Sequence, residues 1–251
     1  SVLSDKNVRL ALAHSINKDA IIESISGAGF KIDSPMIPEI FPDFEANLKK
    51  YDYNPDFARQ ILDNSDWRDE DGDGRRSKKG QALEIELVLP LKKELALIGD
   101  LLKKNWEEIG VKVNLVPAPI TELQQKYIQP RAYQALLFGE VLNVEPDPFS
   151  FWHSTQKKEP GLNLALYDSD GADKLLEEAR QTLNPIARAA KYKDFQNLII
   201  EDLPAVFLYS LNFIYPQAEK IKGFEDTLYG LPSERFANIN KWHIETKRVR
   251  K

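Results

Sequence analysis

The sequence predicts an α/β or α+β chain with a mixed β-sheet. Three observations carry that prediction. Between residues 83 and 115 the apolar pattern changes from period two to a helical period and back again, as a strand–helix–strand unit does. A further strand-like run follows at 133–138. Residues 170–182 and 185–202 then carry two successive helical patterns.

The elements follow in order. Val8, Ala11, Leu12 and Ile16 recur at helical spacing, with Ser4 or Asp5 as the cap. Asn17 caps a second helix bearing Ile21, Ile22 and Ile25, which Gly27 and Gly29 end. Residues 30–50 hold Pro35, Pro38 and Pro42 with little periodicity and read as an irregular surface segment. Asn54 before Pro55 is a cap followed by a first-turn proline, and Ala58, Ile61 and Leu62 share one helical face. Residues 63–82 are polar and rich in turn formers. Leu83, Ile85, Leu87 and Leu89 alternate as in a half-buried strand. Leu95, Ile98, Leu102, Trp106 and Ile109 form an amphipathic helix that Gly110 stops. Val111, Val113 and Leu115 alternate again, completing a βαβ unit whose crossover is expected to be right-handed. A short helix near 120–128 precedes the strand at 133–138. The helix at 185–202 opens on Asn184 and Pro185, buries Tyr192, Phe195, Ile199 and Leu203, and ends at Pro204. Residues 205–209 read as a strand. The remainder, to about 244, is rich in aromatics and turns.

Composition excludes several classes. The 251 residues suffice for one large domain or two lobes, and 42% hydrophobic with 29% charged residues is ordinary globular usage. A net charge of −5 argues against a nucleic-acid partner. The terminal cluster of Lys247, Arg248, Arg250 and Lys251 reads as a short solvated tail. The absence of cysteine excludes disulfides, thiolate metal sites and a cysteine nucleophile. No apolar run approaches the ~20 residues that span a bilayer. No leader is visible either, and the chain opens directly into a helical pattern, as a stretch cut from a longer chain would.

Chemistry-bearing motifs are few. His14, His153 and His243 are far apart and form no ligand pair. No nucleophile elbow, phosphate loop or dinucleotide fingerprint occurs, and no cofactor is expected. Asp69, Asp71 and Asp73 with Gly74 fit the first half of a calcium loop. The twelfth position is Gly80 rather than glutamate, and Arg75 and Arg76 bring opposing charge, so a polar turn is the competing reading. Residues 138–154 are richer. They leave the carboxyl end of a strand, where α/β sheets place ligands, and combine aromatic rings with acids and an amide. Rings offer stacking area and acids can grip an ammonium. A packed aromatic helix start with Pro148 in its first turn is the alternative.

These residues resemble the peptide/nickel class of bacterial extracellular solute-binding proteins. Asp5, Val8, Arg9, Ala11, Leu12, Ile16, Asn17 and Lys18 are similar to that family's "D-x-x-V-R-x-A-L-x-x-A-I-D-R". Tyr51 and Asp52 through Trp67 resemble its "Y-D-P-x-x-A-x-x-L-L-x-x-A-G-W". Asp71, Gly72, Asp73 and Gly74 with Lys79 and Gly80 resemble its "D-G-D-G" turn, and residues 105–113 its "L-x-x-I-G-I-x-V". Asp147, Pro148, Trp152, His153 and Ser154 resemble "D-P-x-x-x-W-H-S". Asn163, then Asp173 to Leu176 with Ala179 and Arg180, then Glu201, Asp202 and Pro204 follow in the family's order.

The resemblance implies a periplasmic-binding-protein-like α/β lobe, a mixed sheet flanked by helices, with type II binding-protein architecture. It implies that residues 1–204 form the second, C-terminal ligand-binding lobe and that 205–251 return toward a first lobe. The implied function is capture of oligopeptides outside the cytoplasmic membrane, by a monomer that is free or lipid-anchored, and delivery to the permease of an ABC importer. In peptide-binding relatives an acid after the strand–glycine step pairs with the peptide's amino terminus. Here that position falls near Asn143, which can hydrogen-bond but carries no charge, leaving Glu140, Glu145 or Asp147 to supply the acid. Val141 and Leu142 form the backbone strip against which a ligand lies, and Phe138 and Trp152 complete the expected ligand-binding set. The loss of charge at Asn143 motivates a second reading, a non-peptide cargo such as a glycan fragment or a metal chelate. A third, a hydrolase using His153 and Ser154, is disfavoured because helix neighbours point about 100° apart.

Overall fold

The computed structural model describes residues 1–36, 48–141, 147–225 and 232–244. In chain order the helices and strands are α1 (Lys6–Ser15), α2 (Lys18–Ser24), β1 (Gly29–Lys31), α3 (Pro55–Asn64), β2 (Ser77–Lys78), β3 (Gln81–Ala82), β4 (Glu84–Pro90), α4 (Lys93–Glu108), β5 (Lys112–Ala118), α5 (Ile120–Glu122) running into a π-helical stretch Leu123–Ile128, β6 (Ala135–Leu136), α6 (Phe149–Trp152), α7 (Asp170–Gln181), α8 (Pro185–Asp202), β7 (Tyr209–Leu211), β8 (Ile221–Lys222) and β9 (His243–Ile244).

Helix starts follow from capping side chains. Asp5, Asn17, Asn54 and Asn184 each accept a backbone N–H from the first turn, at 2.9, 3.0, 2.9 and 3.1 Å. These bonds satisfy donors that have no partner inside the helix. Pro55 and Pro185 stand in the first turn, where a missing N–H does no harm. Gly110 ends α4 at φ +88°, and a Cβ there would lie 2.8 Å from the Arg76 side chain.

β4 lies between β5 and β6 and is parallel to both. Antiparallel pairs also occur among the described residues, but in separate two-stranded sheets. β4 alternates only in its first half. Val88 is also buried, because the π-helical stretch brings Leu123 over the second face to form a small core with Ala118. A strand covered on both faces loses its alternation.

Two strand expectations are corrected. The run at 133–138 pairs only over Ala135–Leu136. Gln134 instead sends its side-chain amide to the β4 edge, its Oε1 accepting the Glu86 N–H at 2.8 Å. The strand expected at 205–209 lies at Tyr209–Leu211 and pairs antiparallel with β1, in a segment that read as irregular. Gly29, taken as a helix end, opens β1. A Cβ there would stand 2.5 Å from the Ser210 carbonyl oxygen, so only glycine permits this close approach.

The interior comprises two large cores. The first gathers α1 to α4 with β4 and β5 around Leu62, Ile85, Ile98 and Ile109. The second gathers α6, α7 and α8 around Trp152, Leu176, Phe195 and Ile199. Residues 205–208 run between them, Ala205 and Phe207 packing on the second core while Val206 and Leu208 pack on the first.

Candidate functional site

The segment singled out by sequence starts at the carboxyl end of β6. Leu137 closes the sheet, its N–H donating to the Val88 carbonyl at 2.9 Å, and is buried in the first core. Beyond it the chain turns outward. Phe138 is 41% exposed and Val141 74% exposed, with Gly139 and Glu140 exposed between them. These four residues form an accessible strip at the carboxyl edge of a parallel sheet. Leu142, Asn143 and Glu145 lie outside the described residues.

Glu140 carries the one acid of the strip. Burial of its carboxyl pushes it up to about 7, although the residue as a whole keeps an exposed surface.

Asp147 and Trp152 are placed differently from the ligand-facing roles expected of them. Asp147 turns its carboxylate to Arg180: Nε lies 3.1 Å from both oxygens and Nη2 2.6 Å from Oδ2. Trp152 is only 3% exposed and packs in the second core, with ring centroids 6.5 Å from Tyr167 and 5.8 Å from Phe207. It presents no open face for stacking. The sequence did not reveal that Trp152 would turn inward or that Asp147 would pair with Arg180, because an aromatic run beside prolines reads alike on either side of a wall.

His153 is buried, its Nδ1 2.9 Å from the Thr155 hydroxyl and its Nε2 3.3 Å from Glu177. Ser154 donates its hydroxyl to Asp173. The serine and histidine therefore each have another partner. Asn163 is fully buried as well, its amide donating to the carbonyls of Trp152, His153 and Tyr167. Asp173, Glu177 and Arg180 were missed as a group. Their spacing of four and then three residues places them on one face of α7; that spacing was the available signal.

The aspartate loop folds on itself. Asp69, Asp71 and Asp73 bring carboxylate oxygens within 4.8 Å of one another, all exposed. Asp69 accepts the N–H groups of Gly72 and Gly74 at 2.8 and 3.0 Å, and Asp73 that of Arg75 at 2.8 Å. These are self-capped turns, which aspartate forms without a cation. Elsewhere a crevice at the seam of the two large cores is lined by Lys18, Asp33, Tyr51, Ile200 and Val206. Burial pulls the Lys18 ammonium below the usual lysine range, and Asp33 at 2.5 Å holds it in place.

Comparison with known proteins places this geometry in a family. The oligopeptide-binding protein AppA of Bacillus subtilis is 26% identical over 252 residues, covering 97% of this chain and 45% of the relative. Its structure in complex with a nonapeptide superposes with a TM-score of 0.77, over 97% of this chain and 48% of that one. NikZ of Campylobacter jejuni, solved with Ni(L-His), is 25% identical with a TM-score of 0.76, over 96% and 49% of the two chains. The chain thus spans about half the length of these relatives, and its α/β fold is that of a type II periplasmic binding protein lobe. The model of the bacterial extracellular solute-binding proteins, family 5, middle region, matches residues 1–163, and this chain belongs to that family.

Proposed function

We propose that this chain is the cargo-binding lobe of a solute-binding protein that captures oligopeptides outside the cytoplasmic membrane and hands them to the permease of an ABC importer. One observation carries the reading: in a chain of this family, an accessible strip of Phe138, Gly139, Glu140 and Val141 leaves the carboxyl edge of a parallel sheet. An extended peptide laid against such a strip is held by main-chain hydrogen bonds, which suit cargo of variable sequence. AppA with its nonapeptide supports peptide as the cargo class. Binding without catalysis fits a site whose histidine and serine are engaged elsewhere.

Residues 205–251 are proposed to return toward a first lobe. From the last residue of β7 onward the segment exposes Leu211, Phe213 and Ile214, at 64%, 45% and 72%. Neighbouring apolar side chains exposed to this degree mark an interaction surface.

A second cargo class is favoured by one observation, the Ni(L-His) in NikZ. Calorimetric titration of the protein with a mixed nonapeptide pool, and separately with nickel–histidine, tests both. Heat from the peptides and none from the chelate is expected. Saturable binding of the chelate alone would reverse the assignment. Glu140→Gln should weaken peptide binding if that acid meets the cargo ammonium, and an unchanged affinity removes Glu140 from the site.

A further inference from the structure

We propose that Leu91, Ile120 and Phe138 form an apolar subsite that selects cargo peptides carrying bulky aliphatic or aromatic side chains; the proposal rests on the binding reading above and names the class of peptide. The three residues leave the carboxyl ends of neighbouring strands in one parallel sheet. Leu91 follows the last residue of β4, Ile120 stands two beyond the end of β5, and Phe138 two beyond the end of β6. Backbone bonds tie these exits to the sheet. Leu91 donates its N–H to the Ala118 carbonyl at 2.8 Å, and Leu137 donates to that of Val88 at 2.9 Å. The three side chains are nevertheless 62%, 52% and 41% exposed.

Topology explains why this end stays open. α4, between β4 and β5, packs Ile98 and Leu102 with Ile85, Leu87 and Leu89 on one face of the sheet. The π-helical stretch, between β5 and β6, packs Leu123 with Val88 and Ala118 on the opposite face. β4 lies between β5 and β6, so the two connections leave the sheet on opposite sides. Such a switch point is where α/β sheets take ligands, between the carboxyl ends of the strands concerned. Here those strands are β4 and β6, and Leu91 and Phe138 are their exits. Phe138 also begins the accessible strip, so the apolar row is continuous with the surface assigned to the cargo backbone.

The opposite end of the same strands is built differently. Glu84 at the start of β4 pairs with Lys112 at the start of β5 at 2.8 Å and accepts the Asn114 amide at 2.5 Å. Gln134, just before β6, accepts the Glu86 N–H at 2.8 Å. Apolar side chains exposed singly are ordinary. A row of them on adjacent strands, at the end where topology places a ligand and opposite an end closed by polar pairs, is selective. The outer strands are roughly 10 Å apart, about three residues of an extended peptide. One or two cargo side chains therefore fit across the row while the cargo backbone follows the strip.

The test titrates the protein with nonapeptide pools that differ only at three variable positions: Leu, Ile and Phe in one, Ser and Thr in another, Asp and Glu in a third. The first pool should bind roughly tenfold tighter than the second, the range that apolar pockets achieve. In Leu91→Ser combined with Ile120→Ser that ratio should fall to near one, with the urea midpoint barely moved because both residues are exposed. A second measurement needs no peptide. N-acetylleucinamide, which has neither ammonium nor carboxylate, should shift the methyl resonances of Leu91 and Ile120 saturably, and N-acetylserinamide should not. Equal affinity for the first two pools overturns the proposal and leaves the peptide reading standing. Preference for the acidic pool also overturns it, assigning selection to the exposed Lys92 and Lys93. If no pool binds but N-acetylleucinamide saturates those methyls, the peptide reading fails and the apolar subsite stands. If neither pools nor amide bind, the subsite falls as well.

Discussion

Asn163 is fully buried, and its one side-chain amide serves four backbone groups: it donates to Trp152, His153 and Tyr167 at 3.2, 3.1 and 2.9 Å and accepts the Tyr167 N–H at 3.0 Å. Buried backbone groups left without a partner lose their solvation uncompensated. Asn163→Ala should therefore cost about 3 kcal/mol in urea unfolding, and a loss below about 1 kcal/mol would contradict the hub. Asn163→Asp keeps the acceptor but removes the donors, so it should also destabilise. Glu140 gives a pH-dependent counterpart. Its folded carboxyl is pushed from 4.5 up to about 7. Between those values the folded protein retains a proton that the unfolded chain has already lost, so this group makes stability fall as pH rises through the window. Glu140→Gln has no such charge to form. Its melting temperature relative to wild type should rise across the window and level off above it. A difference that stays flat from below 4.5 to above 7 would show that solvent screens the group completely.

Arg9 links two elements from distant parts of the sequence. Its Nη1 donates to the Leu3 and Ser4 carbonyls at 2.9 and 3.1 Å, while Nη2 and Nε reach the Asp202 and Leu203 carbonyls at 2.7 and 3.0 Å. The latter oxygens close α8, where Leu203 adopts the left-handed conformation at φ +52°. A cation here meets the negative end of the helix and satisfies carbonyls that have no helical donor. Arg9→Gln should cost about 2 kcal/mol and loosen the last turn of α8 first, which exchange at the Leu203 amide would report. Equal loosening of α3 would point to general destabilisation instead. The helices were legible in the sequence because their determinants are local: Asn17, Asn54 and Asn184 cap where they stand, and Gly110 stops α4 where it was expected to. The β1–β7 pair was not, because its partners come from opposite parts of the chain and Gly29 answers to a carbonyl far along the sequence. In the candidate site the outward residues Phe138 and Val141 were legible from the strand that precedes them. The inward turn of Trp152 depends on the second core, and the partner of Asp147 sits on α7, where Arg180 resembles ordinary surface charge.

Among the described residues several contacts tie the cores together, and their distribution determines how the molecule should unfold. Arg9 ties α1 to the end of α8. The Tyr51 hydroxyl donates to the Ile200 carbonyl at 2.8 Å. Arg131 donates to the Lys157 and Gly161 carbonyls at 2.8 and 2.5 Å, and Tyr133 to that of Leu164 at 2.5 Å. Residues 205–208 give alternate side chains to each core. Arg131 and Tyr133 follow the π-helical stretch and precede the exposed strip at 138–141, so they also fix the base from which that strip leaves the sheet. Ties spread in this way make independent opening of either core costly, because each would strand polar groups in the other. Native-state hydrogen exchange should therefore give the slowest amides of β4 and α8 the same opening free energy and the same urea dependence. Combining Arg131→Ala with Tyr133→Phe removes the tie through 157–164 while leaving both cores packed. In that variant α8 should open before β4, with a smaller urea dependence, as a sub-global unit. Separate opening already present in the wild-type protein would show that the cores are neighbours rather than one lobe.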